Sequence, residues 1–392
     1  MNKPIPYGRQ NISEEDISAV VEVLKSDFLT QGPKIKEFEE KFANYVGAKY
    51  AVAVSNGTTA LHLAVLALGL KPGGKVITTP ITFVASANSV LYADGQVEFV
   101  DIDPETALID LNQVRKLLES SPKGSYSGII PVDLAGCPVD LEKARAIADE
   151  FGLWILEDAC HAPGGYFTSS SGKRELCGNG KYSDASVFSF HPVKHIACGE
   201  GGMITTDSKQ VYDELLLLRT HGITKDSGKF VSDASEIAQG GWYYEMQELG
   251  FNYRIPDILA ALGVSQLERA DLGLNRRREI ANLYDRKFSN LDFIKPLTLI
   301  KDHPGHAYHL YVVQVTNRSK VYESLKALGI YCQVHYIPVH LQPYYKRLGF
   351  KKGDFPFAEQ YYEKALSIPM FPSMTDEEVE RVAQAVLSAS RD

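Results

Sequence analysis

The sequence predicts an α/β protein, with a large domain built on a mostly parallel sheet and a smaller α+β domain after it. Three observations lead there. From Tyr50 onward, short β-rich apolar runs alternate with amphipathic helical stretches, the pattern of parallel strands covered on both faces. After Pro256 that rhythm stops, and a long helical region precedes two strand-like runs and a closing helix. The 392 residues are 44% apolar and 23% charged, a folded balance in a chain long enough to bury more than one core. Residues 1–255 are read as the large domain with an N-terminal helical segment, and 256–392 as the small one.

Each element has a local reason. Ser13 is a good N-cap, Glu14, Glu15 and Asp16 suit the positive end of a helix dipole, and Ile17, Val20, Val21 and Leu24 keep helical spacing. Phe28 to Pro33 is a loop punctuated by glycine and proline. A second helix carries Ile35, Phe38 and Phe42 and stops near Gly47. Strands are expected at Tyr50–Val54, Val76–Thr78, Val97–Asp101, Ile129–Val132 and Trp154–Glu157. The helices between them run to Leu70, to Asp94, through Leu117, and from Asp140 to Phe151. Ala185–Phe190 and Met203–Thr206 are later strands. Past Pro256, a helical region runs from Asp257 towards Ser289, Ala307–Val315 and Tyr331–Ile337 read as strands, and Asp376–Ser390 closes as a helix.

Composition excludes several classes. Lysine and arginine number 41 against 49 acids, a net charge of -8, which argues against general nucleic-acid binding. Five scattered cysteines form no C-x-x-C pair, so reduced thiols are expected rather than a disulfide framework or a metal site. The N-terminus has no apolar signal core. Tyr50 to Leu70 carries no charge, but Ser55-Asn56-Gly57-Thr58-Thr59 interrupts it, so strand, loop and helix explain it better than a membrane span. A cytoplasmic location is expected.

In parallel sheets, ligands collect beyond the C-terminal strand ends. Four strand ends here carry unusual residues. Ser55-Asn56-Gly57-Thr58-Thr59-Ala60 opens a helix with a glycine among hydroxyls, a backbone arrangement that holds phosphate. Thr79-Pro80-Ile81-Thr82-Phe83 offers an aromatic face. Glu157-Asp158-Ala159-Cys160-His161 places two acids where burial is costly without a partner. Ser189-Phe190-His191-Pro192-Val193-Lys194, followed by Gly199-Glu200-Gly201-Gly202, sets a lysine where it is desolvated enough to form a Schiff base. Taken singly, each reads as well or better as a capped helix, a core aromatic, a capping acid with a surface histidine, or a solvated lysine. Together, a phosphate cradle, a ring stacker, a carboxylate for a ring nitrogen and a Schiff-base lysine are the parts that bind pyridoxal 5'-phosphate.

These motifs stand in the order seen in the DegT-like nucleotide-sugar aminotransferases, and the chain resembles that family along essentially its whole length. Arg219-Thr220-His221-Gly222, Gly250-Phe251-Asn252-Tyr253-Arg254, Leu29-Thr30-Gln31-Gly32 and Gln333-Val334-His335-Tyr336 extend the match. The resemblance implies the type I fold of pyridoxal-phosphate-dependent transferases. It implies that Lys194 forms the Schiff base and moves the proton, that Asp158 pairs with the pyridine nitrogen, and that His161 bonds the cofactor's 3-oxygen. Phe83 matches the ring stacker, and Gly57, Thr58 and Ser189 match the phosphate donors. Asn252 matches a residue that reaches the phosphate from a partner subunit, which implies a homodimer with shared active sites. Tyr7, Asp27, Phe28, Leu29, Thr30 and Asn56 match positions near the sugar nucleotide, and Gln333, His335 and Tyr336 match a loop closing over it.

Within the family, Tyr7, the Asp27-to-Thr30 stretch and Gln-Val-His-Tyr resemble most the branch that acts on the pseudaminic acid pathway. That implies transfer of an amino group from L-glutamate to C4 of a UDP-linked 4-keto-6-deoxy-N-acetylhexosamine. A dehydratase branch has histidine in place of the lysine. Here Lys194, five residues after Ser189, keeps the lysine's register, and the adjacent His195 has no evident role. A nicotinamide-dependent oxidoreductase would need a Gly-x-Gly-x-x-Gly turn after the first strand, and Ser-Asn-Gly-Thr-Thr is not one. Two alternatives stay open: a sister aminotransferase for another UDP- or dTDP-linked keto sugar, and a non-catalytic cofactor-binding regulator. Arg219 and Arg254 are candidates for holding a carboxylate or a diphosphate.

Overall fold

The computed structural model describes residues 3–232 and 240–391. Strands β1 (Tyr50–Val54), β2 (Lys75–Thr78), β3 (Gln96–Phe99), β4 (Gly128–Ile130) and β5 (Trp154–Asp158) lie on the expected apolar runs. A hairpin that no periodicity announces, β6 (Tyr166–Thr168) with β7 (Arg174–Leu176), comes before β8 (Ala185–Ser189) and β9 (Gly202–Thr206). Seven strands form the main sheet in the order β1-β9-β8-β5-β4-β2-β3. Only β9 runs antiparallel to its neighbours, β8 and β1. The segment between β8 and β9 contains no helix to serve as a crossover, so β9 returns alongside β8 in the opposite direction. A second small ribbon joins β10 (Ile223–Thr224) and β11 (Glu245–Met246).

Helices α1 (Glu14–Leu24) and α2 (Pro33–Val46) precede the sheet. Ser13 caps α1 in a capping box with Asp16, and α2 ends at Gly47, whose φ of 82° is the left-handed cap that glycine accepts at least cost. The rotation of α1 differs from the apolar reading: Ile17, Val21 and Leu24 are exposed, while Asp16 and Val23 are buried. Asp16 sets that rotation. Its carboxylate accepts from Ser265 Oγ at 2.7 Å and Gln266 Nε2 at 2.6 Å, and also pairs with Arg269.

The sheet is covered by α3 (Gly57–Ala67), α4 (Val84–Tyr92), α5 (Leu111–Glu119), α6 (Leu141–Phe151) and α7 (Lys209–Arg219). The long helical region is two helices, α8 (Asp257–Glu268) and α9 (Ala270–Phe288), broken at Arg269, whose ψ of 15° leaves the helical range. Ala260 and Val264 of α8 pack in one core with Phe38 and Phe42 of α2, so α8 ties the second sequence range to the first. A three-stranded antiparallel sheet follows, β12 (Ile294–Pro296), β13 (Tyr311–Val315) and β14 (Ala365–Ile368). Around it stand α10 (Arg318–Ala327), α12 (Pro356–Lys364) and α13 (Asp376–Arg391), whereas α11 (Pro343–Arg347) packs Tyr345 against Phe99 of β3 and Ala87 of α4.

Two expected strands change here. The first begins only at Tyr311, because Tyr308 sits at φ 48° and the Ala307 and Leu310 N–H groups bond Gly136 and Ala135 of the large unit. Tyr331–Ile337 is not a strand. Its only backbone pairing with the small sheet is the exchange between Gln333 and Ser367 at 3.0 and 2.8 Å, and from Gln333 to Ile337 it lines a cleft. No helix among the described residues is long and apolar enough to cross a membrane.

Candidate active site

The ends of β1, β2, β5 and β8 open onto one cleft of about 840 Å³. At its β1 end, Asn56 caps α3: its Oδ1 accepts the Thr59 N–H at 2.9 Å, and Thr59 Oγ1 accepts the Asn56 N–H at 3.2 Å. The first N–H groups of a helix have no partner within it, so Gly57 and Thr58 present donors to the cleft. A Cβ on Gly57 would stand 3.0 Å from Ser189 Cβ and 3.3 Å from Ser189 Oγ. Glycine therefore lets the Ser189 hydroxyl approach the helix start. Gly202 is required in turn, since a Cβ there would meet the Asn56 carbonyl at 2.4 Å. Backbone donors at a helix N-terminus beside a hydroxyl fit a phosphate ester.

At the end of β5, Asp158 is buried, its Oδ2 accepting from Ser86 Oγ at 2.7 Å and its Oδ1 from the Cys160 N–H at 3.2 Å. His161 is buried three residues on. The Ala135 N–H donates to its Nδ1 at 3.2 Å, which leaves the proton on Nε2, 3.2 Å from the Tyr336 hydroxyl oxygen. Burial, with help from Lys194, holds the imidazole well below its usual range, so it is a neutral Nε2–H donor. After β8, Lys194 lines the same cleft, and burial pulls its ammonium down to about 8 while Cys160 and Asp158 pull the other way. An amine with a lowered pKa, an anion-binding helix start, a buried carboxylate and a neutral imidazole on one cleft fit an aldehyde-bearing, phosphorylated pyridine ring.

The remaining cleft residues come from other elements. Phe83, at the N-cap of α4, is 56% exposed and lies 6.1 Å, centroid to centroid, from Tyr336. Tyr7 stands 5.6 Å from His335, and Gln333, His335 and Tyr336 line the cleft from the stretch that abandons the small sheet. His335 Nδ1 lies 2.9 Å from Ser367 Oγ, and burial lowers its pKa to about 3, so it too is neutral.

Some candidates do not meet there within one chain. Asp27, Phe28, Leu29 and Thr30 are exposed in the loop between α1 and α2, and Asn252 is exposed where it bridges Thr220 after α7; none lines the cleft. Arg219 is corrected outright. Its guanidinium pairs with Glu39 and donates to the Ala53 carbonyl at 2.8 Å, so it binds β1 to α2 and is not free for a substrate. Arg254 is likewise absent from the cleft wall. His195 now has a role: its Nε2–H donates to the Ala307 carbonyl at 2.8 Å, anchoring the second half of the chain behind Lys194.

Ser86 escapes a sequence reading because nothing distinguishes it from the other small residues of α4. Glu157 carries a signal that alternation would have sorted: consecutive strand residues face opposite sides, so Glu157 turns away from Asp158. Its Oε2 accepts from Ser186 Oγ at 2.6 Å and the Gly178 N–H at 2.9 Å. Its Oε1 and Asp133 Oδ2 have no hydrogen-bond partner, and an oxygen of each carboxyl lies within 4.8 Å of the other and of Cys177 Sγ. Burial drives both carboxyls up, Asp133 most, so the pair keeps one proton. A raised folded pKa means stability is lost as pH rises from about 4 towards the pH at which the pair ionises, at about 1.4 kcal/mol per pH unit. Glu157→Gln supplies a permanent N–H to Asp133 while its oxygen still accepts from Ser186 and Gly178. Its thermal midpoint should gain on the wild type steadily between pH 5 and 7; parallel curves would refute the shared proton.

With this geometry in view, comparisons place the chain. The model of the DegT/DnrJ/EryC1/StrS aminotransferase family matches residues 10–387. The chain is 40% identical over 394 residues to the spore coat polysaccharide biosynthesis protein SpsC of Bacillus subtilis, covering 98% of this chain and 97% of that one. It is 35% identical over 391 residues to the UDP-4-amino-4,6-dideoxy-N-acetyl-beta-L-altrosamine transaminase of Campylobacter jejuni, with the same coverage, 98% and 97%. Helicobacter pylori PseC, an aminotransferase of pseudaminic acid biosynthesis, superposes with a TM-score of 0.87 at 31% identity, over 99% of this chain and 100% of that one. The cleft, the α/β framework and these relatives agree: the chain belongs to the DegT/DnrJ/EryC1/StrS family and is a pyridoxal-phosphate-dependent sugar aminotransferase.

Proposed function

We propose that this enzyme moves an amino group from L-glutamate to C4 of a UDP-linked 4-keto-6-deoxy-N-acetylhexosamine. The observation that carries the reading is the meeting of Lys194, Asp158, His161 and the Gly57–Thr58–Ser189 cradle in one cleft, beside the Tyr7 and Gln333–Tyr336 positions of the sugar-nucleotide pattern. The names of the Campylobacter and Helicobacter relatives support the UDP sugar and the pseudaminic acid branch.

In this reading the chain's residues divide the work. Gly57, Thr58 and Ser189 would hold the phosphate, Phe83 would lie against the ring, Asp158 would pair with its nitrogen, and His161 would donate from Nε2 to its 3-oxygen. When bound, pyridoxal phosphate supplies an electron sink for the charge left as a carbon beside nitrogen loses its proton. Lys194, whose ammonium burial brings down to about 8, would take that proton from the donor and later return one. Asn56, Tyr7, Gln333, His335 and Tyr336 contact the nucleotide sugar. Asp27, Phe28, Leu29, Thr30 and Asn252 are proposed to act across a homodimer, their exposure in the single chain leaving them free to reach a partner's cleft. The exposed apolar residues Ile17, Val21, Leu24, Phe28 and Leu29 around α1 support that contact. Five free cysteines fit a reducing cytoplasm.

Glutamate and the nucleotide sugar must use one cleft in turn. Enzyme loaded with glutamate and freed of it should therefore give one equivalent of 4-amino sugar per site when the keto sugar is added alone; a need for both substrates together would refute the stepwise scheme. A panel of UDP- and dTDP-linked keto sugars separates the pseudaminic branch from a sister sugar, the reading favoured by the likeness to SpsC. For the dimer, mixed Lys194→Ala and Asn252→Ala chains should regain activity through hybrids with one intact site. No recovery despite proven subunit exchange would count against sharing.

A further inference from the structure

The Asp158 carboxylate is gripped from both sides by uncharged donors. Its Oδ2 takes the Ser86 hydroxyl at 2.7 Å, and its Oδ1 takes the Cys160 N–H at 3.2 Å. Ser86 sits in the first turn of α4, is 0% exposed, and contributes to the cleft wall. A hydroxyl has one proton to give. The Phe83 carbonyl, at 3.4 Å, is the weaker acceptor, so the carboxylate takes that proton. Thr82 Oγ1 lies 2.7 Å from Ser86 Oγ and is itself buried, so the remaining proton of the pair runs from Thr82 to Ser86. The result is a one-way chain, Thr82 to Ser86 to Asp158, each link polarising the next towards the anion in a low-dielectric setting.

We propose that Ser86, fed by Thr82, is a positioning residue for amino transfer: it fixes the Asp158 carboxylate and presents it to the cofactor as an oriented anion. The inference rests on the reading of Asp158 as the partner of the ring nitrogen. Packing alone does not account for the residue, since alanine would fill the same space without a polar group to satisfy.

The test uses the holoenzyme and its Ser86→Ala, Thr82→Val, Asp158→Asn and Ser86→Ala/Asp158→Asn variants. It reads the dissociation constant of pyridoxal phosphate by equilibrium dialysis, and the pH dependence of the bound cofactor's visible absorption. Ser86→Ala should weaken cofactor binding about tenfold and displace the absorption titration, the loss of one hydrogen bond to a charged group. Thr82→Val should move both in the same direction by less. In the Asp158→Asn background, where Ser86 can bond only a neutral oxygen, Ser86→Ala should cost clearly less than in the wild type. Equal effects in both backgrounds, or an unmoved affinity and spectrum beside a strongly impaired Asp158→Asn, would overturn the role of Ser86. If Asp158→Asn itself leaves affinity and spectrum unchanged, the reading of Asp158 falls and takes the proposal with it. Should Ser86→Ala misfold, Ser86→Cys, similar in size but a weaker donor, should give a smaller loss in the same two readouts, and wild-type values would overturn the role.

Discussion

Lys194→Ala should lower amino transfer by at least about 10³-fold, within the range that a positioned proton carrier supplies. Among the described residues lining the cleft, Lys194 is the only one with an amine side chain, and burial brings that amine to about 8. The removed side chain is therefore the group proposed both to hold the cofactor and to move the proton. Lys194→Arg keeps a charge but has no deprotonated form near neutral pH, and should be about as inactive. Borohydride reduction of the wild-type holoenzyme, followed by peptide mapping, should place the cofactor on Lys194. A label on another lysine, or an alanine variant retaining a tenth of the activity, would refute the assignment. Thermal midpoints of both variants should stay close to wild type, because the Lys194 side chain is not part of a packed core.

Asp158→Asn should cost about 10²-fold in turnover, the scale of one or more hydrogen bonds to a buried charge. Asparagine has nearly the same shape, and its oxygen can still accept from Ser86 or the Cys160 N–H, so the fold should survive. What is lost is the negative charge proposed to face the ring nitrogen. The neighbouring change, Glu157→Gln, acts in the opposite sense: it should stabilise the protein as pH rises, since Glu157 faces Asp133 on the other side of β5. Two adjacent acids thus separate into one acting on chemistry and one acting on stability. If the two variants lost activity alike, with unchanged stability curves, this division would be wrong.

Much of the fold was legible in local chemistry. Ser13 and Gly47 delimit their helices through capping and a left-handed backbone, both set by a few residues. The apolar runs of β1, β2, β5 and β8 mark buried strands, and the motifs at their ends open onto one cleft because parallel strands bring their C-terminal ends to one edge. What local pattern does not carry is the choice among faces. Ile17, Val21 and Leu24 keep helical spacing, yet α1 turns them outward, since the bonds of Asp16 to Ser265, Gln266 and Arg269 come from residues some 250 positions away in the chain.

The same reason governs the residues misread in the site. Arg219 looked available until Glu39, 180 residues earlier, took its charge. Tyr331–Ile337 has strand composition, but only Gln333 pairs its backbone with the small sheet, and Gln333 to Ile337 turn to the cleft where Tyr336 meets His161. Ser86 has no sequence signature because its meaning is one bond to a carboxylate 72 residues away. By itself, then, the sequence determined most of the elements, the caps of α1 and α2, and the chemistry available at each strand end, all properties of short windows. The tertiary structure alone decided which charges are spent on one another, which apolar faces stay open, and which small hydroxyl touches the buried carboxylate. Those choices depend on distances between residues far apart in the chain, and burial gives each of them its energetic weight.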